Sequence, residues 1–140
     1  MSSDDVKGLV TKYIEDVWNN ADLVALNDLT GPEYTYHFGS HPPRDKVAMQ
    51  QLLHELHTAF PDWRVQIQDI IAEGNTVAVR WSGTVTHEGV FYGVLPTGKQ
   101  IIVSGINVYL IEGRKILREW EQMNSLAILL QMGVLPPTKQ

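Results

Sequence analysis

The spacing of apolar residues changes at Trp63, and this change constrains the fold more than any other feature of the sequence. Before Trp63, apolar side chains recur every three or four residues, as they do on one face of an α-helix. After it, apolar and polar side chains alternate, as they do in strands that bury one face. The sequence therefore predicts an α+β fold, with most helices in the first half and an antiparallel sheet in the second.

Three helices and a short strand are predicted before this change. The helices cover residues 6–18, 23–29 and 45–60. Between the second and third, Tyr34, Tyr36 and Phe38 alternate with polar residues, which indicates a strand. His37 belongs to the opposite face of that strand from the three aromatic rings.

Four strands and a final helix are predicted after the change. The strands cover residues 65–71, 77–87, 101–111 and 114–123. Short turns join most of them, which favours antiparallel neighbours. A twisted sheet of this kind curls around its helices and leaves a pocket at its mouth. We therefore expect a curved sheet wrapped around the N-terminal helices, with a short C-terminal helix.

The last strand is expected to carry polar chemistry into that pocket. Counting every second residue from Ile116 assigns Trp120 and Asn124 to the pocket side, and Glu119 and Glu121 to the water side. Asn124 also has the residue type and the position of an N-cap for the final helix. We expect Asn124 to serve both the helix and the site.

Polar and aromatic residues on the strands supply the candidate site. They are His37, Arg80, Trp81, His87, Asn107, Tyr109, Trp120 and Asn124. His37 and His87 are the expected proton carriers, because an unperturbed imidazole titrates near neutral pH. Alternation assigns His87 to the same face as Trp81, towards the interior. Arg80 falls on the opposite face, where a solvated or salt-bridged side chain is expected.

The strand over residues 101–111 is apolar on both faces, whereas a strand that buries one face needs apolar residues on that face alone. A homodimer that covers the outer side of the sheet would explain the excess. Asn107 interrupts this strand and, if buried, must find hydrogen-bond partners. It is therefore either a polar group of the pocket or part of a dimer network.

Composition and charge exclude several classes of function. The net charge of −5 argues against nucleic acid and anionic membranes as partners. Cysteine is absent, which excludes disulfides, thiolate nucleophiles and thiolate metal sites. No signal peptide and no membrane-length apolar run is visible. These features predict a cytoplasmic protein with one domain over residues 1–140.

Two local patterns approach known motifs without matching them. His54 and His57 are three residues apart, whereas the two ligands of a zinc protease helix stand four apart. Residues 93–99 have the spacing of a phosphate-binding loop, but Gln100 replaces Ser or Thr and a strand follows. We therefore expect neither a metal nor a nucleotide.

Three segments together resemble the SnoaL-like polyketide cyclase family, also called ester cyclases, of the NTF2-like superfamily. They are AFPDWRV at residues 59–65, IAEGNTVAVRWSGTVTHEGVFYGVLPTGK at 71–99, and EWEQMNSLAILLQMG at 119–133. The resemblance implies a cone-shaped α+β barrel with a deep apolar pocket, an oligomer, and no metal or organic cofactor. Characterised members close a ring of an aromatic polyketide by intramolecular aldol condensation, with a pocket Asp as the base.

The resemblance also implies roles for particular residues. It assigns His37 and His87 to pocket histidines, Trp120 to a pocket tryptophan, and Asn124 to the position of the catalytic Asp. A carboxamide does not titrate, so Asn124 can donate to an oxyanion but cannot abstract a proton. The base role would then pass to His87 or His37.

These observations predict a cofactor-independent enzyme that acts on a small, apolar or aromatic carbonyl compound. His87 or His37 would be the acid/base, with Asn124 as the carbonyl donor. Trp120, Tyr109, Asn107 and Trp81 would contact the substrate. A binding module for an apolar metabolite is the second hypothesis. A hydrolase of the epoxide hydrolase type is the third, and the amides at 107 and 124 count against it.

Overall fold

The computed structural model describes residues 1–134 and confirms the predicted α+β class. The helices are α1 (Ser3–Tyr13), α2 (Leu23–Leu29), α3 (Lys46–Ala59) and α4 (Ser125–Gln131). The strands are β1 (Thr30–Phe38), β2 (Gln66–Glu73), β3 (Thr76–Thr86), β4 (Gln100–Glu112) and β5 (Lys115–Met123). The prediction of one domain over residues 1–140 includes the last six residues, which lie outside the described part.

The five strands form one curved sheet in the order β1-β5-β4-β3-β2. The pairs β2–β3, β3–β4 and β4–β5 are antiparallel, as predicted. Strand β1 pairs parallel with β5, however, because the chain leaves β1 through α3 and enters the sheet again at its opposite edge. The helices α1 to α3 lie against the concave face of this sheet.

Side-chain caps determine where the first three helices begin. Ser2 and Asp5 form a capping box before α1, in which the side chain of each residue accepts a hydrogen bond from the backbone N–H of the other residue. Asp22 and Asp45 each accept from a backbone N–H three residues on, at 3.0 and 2.9 Å, and so begin α2 and α3.

The first helix does not stay α-helical to Trp18, as its periodicity predicts. It continues beyond Tyr13 as a π-helical stretch, Ile14–Asn19. A π-helix widens the turn by one residue and changes which side chains face the sheet. Tyr13 and Trp18 are both buried against the sheet as a result.

The prediction for β5 is wrong, since Glu119 and Glu121 are buried at 0% and 6% exposure and Trp120 is 40% exposed. The cause is a bulge in the pairing of β4 with β5, where Ile111 pairs with Ile116 but Leu110 pairs with Arg118. One extra residue shifts the alternation and exchanges the two faces of the strand beyond it. Both glutamates therefore point to the concave side.

The alternation also fails on β2, where Ile71 is 66% exposed beyond a shift in register between Ile67 and Asp69, but it predicts the buried face of β3 correctly. His87 and Trp81 are buried together, and Arg80 lies on the outer face in an ion pair of 2.6 Å with Asp69. Asn107 is 2% exposed. Among residues 1–134, no helix is long and apolar enough to cross a membrane. The same residues contain no group of three or more His, Cys, Asp or Glu side chains able to hold a metal.

We predict that Gly105→Ala destabilises the fold by about 1–3 kcal/mol, because a small residue at this point of β4 leaves room for a core ring. An added Cβ would lie 2.5 Å from Trp81 Cζ2 and 2.5 Å from the Gln122 carbonyl oxygen. Urea unfolding measures the loss. Gly8→Ala is the matched control, because it meets open space on α1 and should gain about 0.5–1 kcal/mol. Equal stability of Gly105→Ala and the wild type would contradict this packing.

Candidate active site

A cavity of about 240 Å³ lies between the concave face of the sheet, the helices and the loop that follows β3. It is lined by Trp18, Tyr36, Phe38, His41, Arg44, Leu52, Glu55, Leu56, Trp63, Val90, Phe91, Tyr92, Glu121 and Met123. Most of these side chains are apolar or aromatic, which is the composition of a site for a small organic molecule.

Glu121 brings a carboxyl group from β5 to this apolar cavity. Its side chain is buried, and Oε1 accepts a hydrogen bond of 3.1 Å from Asn107 Nδ2. Burial raises the pKa of Glu121 from 4.5 to about 8, and the negative charge of Glu119 contributes to the rise. Glu121 therefore holds a proton at neutral pH and can exchange it near that pH.

Glu119 lies one step deeper on the same face of β5 and is enclosed by donors. Oε1 accepts from the Tyr13 hydroxyl at 2.9 Å and from the Tyr34 hydroxyl at 2.7 Å. Oε2 accepts from Trp18 Nε1 at 2.7 Å and from Asn107 Nδ2 at 2.9 Å. Burial raises the pKa of Glu119, and these hydrogen bonds act against that rise by stabilising the carboxylate.

Asn107 connects the two carboxyl groups. Its Oδ1 accepts a hydrogen bond of 2.8 Å from Trp81 Nε1, so its NH₂ group must face the opposite way, towards Glu119 and Glu121. Two carboxyl groups this close to one amide do not both ionise readily. The surroundings divide their roles, with the charge on Glu119, which has four donors, and the proton on Glu121, which faces the cavity.

A second, much smaller space lies behind the main cavity, and Trp18, Trp63 and Glu121 border both. Trp63 is 6% exposed, and its Nε1 finds no acceptor among residues 1–134. A buried donor without a partner costs about 1–3 kcal/mol. This N–H is enclosed by the fold, so the indole ring must turn before the N–H can reach a ligand in the cavity.

The mouth of the cavity carries the remaining polar groups. Arg44 and His41 come from the segment between β1 and α3, Glu55 from α3, and Tyr92 from the loop between β3 and β4. Burial raises the pKa of Tyr92, the charge of Glu121 raises it further, and Arg44 acts in the opposite direction. Tyr92 is therefore close enough to Glu121 and to Arg44 for both charges to affect its pKa.

Solved structures with this architecture come from several bacteria. AclR, a proposed hydroxylase from Streptomyces galilaeus, is 27% identical with a TM-score of 0.86, over 99% of this chain and 91% of AclR. A proposed polyketide cyclase from Acidithiobacillus ferrooxidans is 30% identical with a TM-score of 0.83, over 95% of this chain and 98% of its own. IdmH, a proposed polyketide cyclase from Streptomyces antibioticus, is 28% identical with a TM-score of 0.80, over 92% of this chain and 99% of IdmH.

No curated protein matches the sequence. The model of the SnoaL-like polyketide cyclase family matches residues 8–132. This chain belongs to that family. The resemblance seen in the three sequence segments is thereby confirmed, together with the NTF2-like fold that it implied.

In this SnoaL-like protein the residues predicted for the site lie in three different places. Trp81, Asn107 and Tyr109 line the smaller inner space, beneath Glu121. His87 is buried outside the lining of the main cavity, where its Nδ1 lies 3.0 Å from Thr97 Oγ1 and 3.3 Å from the Thr97 N–H. The structure does not bring this histidine together with the carboxyl pair.

The other four predicted residues lie away from the cavity lining, and Arg80 is the one already described on the outer face. His37 and Trp120 stack on each other across neighbouring strands on the outer face, with ring centroids 5.6 Å apart. Asn124 precedes α4 but makes no side-chain cap. Its amide instead pairs with β4, where Oδ1 accepts from the Ser104 N–H at 2.9 Å and Nδ2 donates to the Ile102 carbonyl at 3.3 Å.

Sequence reasoning missed Glu119, Glu121 and the residues at the mouth of the cavity. A signal for the glutamates was present, because Asn107, Tyr13 and Tyr34 are polar groups on otherwise apolar faces that must find partners inside the fold. The bulge that directs the glutamates towards them has no comparable signal in the sequence. Arg44 and Tyr92 lie in loops, where periodicity predicts no direction.

We predict that wild-type stability falls relative to Glu121→Gln as pH rises. The folded pKa of about 8 exceeds the ordinary value of 4.5, so protonation of Glu121 favours the folded state. This contribution to stability is complete below pH 4.5 and is lost by about pH 8. The difference in free energy of unfolding should change by about 1.4 kcal/mol per pH unit within this window. Urea unfolding at several pH values measures it.

Glu112→Gln is the matched control, because Glu112 is exposed to water at the end of β4. Its stability curve should run parallel to that of the wild type. If the Glu121→Gln curve also runs parallel, Glu121 is not a neutral carboxyl group in the folded protein.

Proposed function

We propose that this protein is a cofactor-independent enzyme that transfers a proton at the carbon next to a carbonyl group in a small, largely apolar polyketide-like compound. Glu121 is the acid/base group. The observation that carries the proposal is a carboxyl group with a pKa of about 8 on the wall of an apolar cavity. Membership of the SnoaL-like family supports a cyclase-type reaction.

The pKa of Glu121 suits this reaction. A general acid or base is most effective when its pKa is close to the working pH, and a carboxylate of raised pKa is a stronger base for a carbon acid than an ordinary one. Burial and the charge of Glu119 make the Glu121 carboxylate a stronger base. Asn107 holds one oxygen of Glu121 in place, which fixes the direction in which the proton is taken.

The reaction then proceeds in two proton transfers. The Glu121 carboxylate takes the proton from the carbon next to the carbonyl, and the electron pair of that C–H bond forms an enolate. The enolate carbon attacks a second carbonyl of the same molecule to close the ring. Glu121 returns its proton to the alkoxide oxygen that results, so the carboxylate is regenerated and no co-reactant is needed.

The surroundings of Glu121 supply the other requirements of the reaction. Trp63 lines the cavity, and its N–H, which lacks an acceptor in the described residues, would hold the carbonyl oxygen as it becomes negative once the ring turns that N–H towards the substrate. Trp18, Phe38 and Phe91 form apolar walls for a flat ring and exclude water from the enolate. In this proposal they take the wall role that the sequence suggested for Trp120.

We predict that Glu121→Gln lowers proton abstraction by about 10²–10⁴, because Gln cannot accept a proton. The assay follows hydrogen–deuterium exchange at the acidic carbon of an aromatic β-diketone in D₂O by NMR. For the wild type, kcat/KM should rise with pH and level off above about pH 8, as the Glu121 carboxylate forms.

His37→Ala and His87→Ala provide the comparison with an imidazole base, which stays the alternative drawn from the sequence. His37→Ala, on the outer face, should keep exchange within about twofold of the wild type. Loss of exchange in a histidine variant, with exchange retained in Glu121→Gln, would contradict the proposal. Binding of aromatic ketones without any exchange would favour the second hypothesis, a binding module.

We further propose that the protein is a homodimer joined through the outer face of the sheet. Ile102, Ile106 and Trp120 are 60%, 51% and 40% exposed on neighbouring strands of that face, an apolar surface that association would cover. Ile102→Lys with Ile106→Lys should shift the sedimentation coefficient from dimer to monomer. Val24→Lys, a change at an exposed position on α2, should not. A wild type that sediments as a monomer would contradict this part of the proposal.

A further inference from the structure

Arg44 places a positive charge at the mouth of the apolar cavity. Its backbone is fixed to β1, because Arg44 N–H donates to the Tyr36 carbonyl at 2.9 Å and Tyr36 N–H donates to the Arg44 carbonyl at 2.9 Å. Tyr36 itself lines the cavity. Arg44 is therefore a half-buried residue of the cavity lining on a fixed backbone.

This guanidinium has no counter-ion among residues 1–134. The ion pairs found there join Lys12 to Asp16, Arg64 to Glu15 and Arg80 to Asp69. No hydrogen bond from the Arg44 side chain occurs in that part of the chain either, although five N–H donors are available. A half-buried arginine without a partner loses part of its hydration, and a bound anion would offset that cost.

The acidic groups around the cavity do not fill this role. Glu55 lines the same cavity but is exposed to water and makes no ion pair with Arg44. Glu121 is neutral at pH 7, because its pKa is about 8. His41 and Tyr92, the other ionisable residues at the mouth of the cavity, are exposed.

We propose that Arg44 binds a carboxylate of the substrate, so that this enzyme takes an aromatic polyketide as the free acid rather than as an ester. This inference rests on the proposed function, because the carbonyl to be activated lies at Glu121 and the carboxylate at Arg44. The planar fork of a guanidinium matches the two oxygens of a carboxylate. The single positive charge of Arg44 balances one carboxylate. A phosphate is disfavoured, because it carries more negative charge and Glu55, an acidic residue, lines the same cavity.

Arg44 would also help Glu121 to form its carboxylate, the form that acts as the base. A substrate carboxylate in the cavity adds negative charge near Glu121 and makes the Glu121 carboxylate, the basic form, harder to generate. Pairing that charge with Arg44 cancels most of this effect. The same cation would thus select the substrate and leave the base effective.

The test compares 2-naphthoate with methyl 2-naphthoate by isothermal titration calorimetry at pH 7. We expect the wild type to bind the acid at least tenfold more tightly than the ester. Arg44→Met should weaken binding of the acid by tenfold to a hundredfold and leave binding of the ester within about twofold. Arg44→Lys should fall between them, because it keeps the charge and loses the fork.

Arg80→Met is the matched control, since Arg80 is an exposed arginine on the outer face of the sheet. It should bind both probes as the wild type does. Thermal unfolding shows whether Arg44→Met is folded, and Arg44→Gln replaces it if it is not. Equal affinity of the wild type for acid and ester, or an unchanged preference in the Arg44 variants, would overturn the inference.

The outcome separates this inference from the proposed function. If Glu121→Gln abolishes exchange while the Arg44 variants keep the preference for the acid, only the carboxylate site is wrong. If the Arg44 variants lose the preference while Glu121→Gln retains full exchange, the anion site stands and the role of Glu121 is wrong.

Discussion

The amide of Asn107 donates hydrogen bonds to two buried carboxyl groups, and the chemistry of the site depends on this bridge. Trp81 determines which way the amide faces by donating to its oxygen. Two carboxylates beside one NH₂ group in a nonpolar interior would repel each other strongly, so the pair keeps one proton. The fold decides which group keeps it.

The two glutamates differ in protonation because they differ in the number of hydrogen-bond donors around them. Glu119 is enclosed by hydroxyl, indole and amide donors from α1, the π-helical stretch, β1 and β4, so its charge is compensated. Glu121 faces apolar walls and has fewer donors, so its neutral form is favoured. Tyr13 and Trp18 therefore act on Glu121 indirectly. They stabilise the charge of Glu119, and that charge raises the pKa of Glu121. A packing residue such as Gly105, which makes room for Trp81, acts on the same site indirectly.

Much of the fold could be predicted from the sequence, because the spacing of apolar residues reports which face of an element is buried. The inward positions of Trp81 and His87 followed from this rule, and so did the outward position of Arg80. Periodicity failed at β5, because the bulge beside Leu110 and Ile111 exchanges the two faces of the strand. The candidate acid/base group was therefore assigned to water, and Trp120 to the pocket.

The account rests on a neutral Glu121 at physiological pH, and the most direct measurement is its titration by NMR. Protein labelled with ¹³C at the glutamate side-chain carboxyl carbons, compared with Glu121→Gln to assign the signal, reports protonation of this one group. We expect the Glu121 signal to titrate with an apparent pKa of about 8. A titration near the ordinary value of 4.5 would contradict the account.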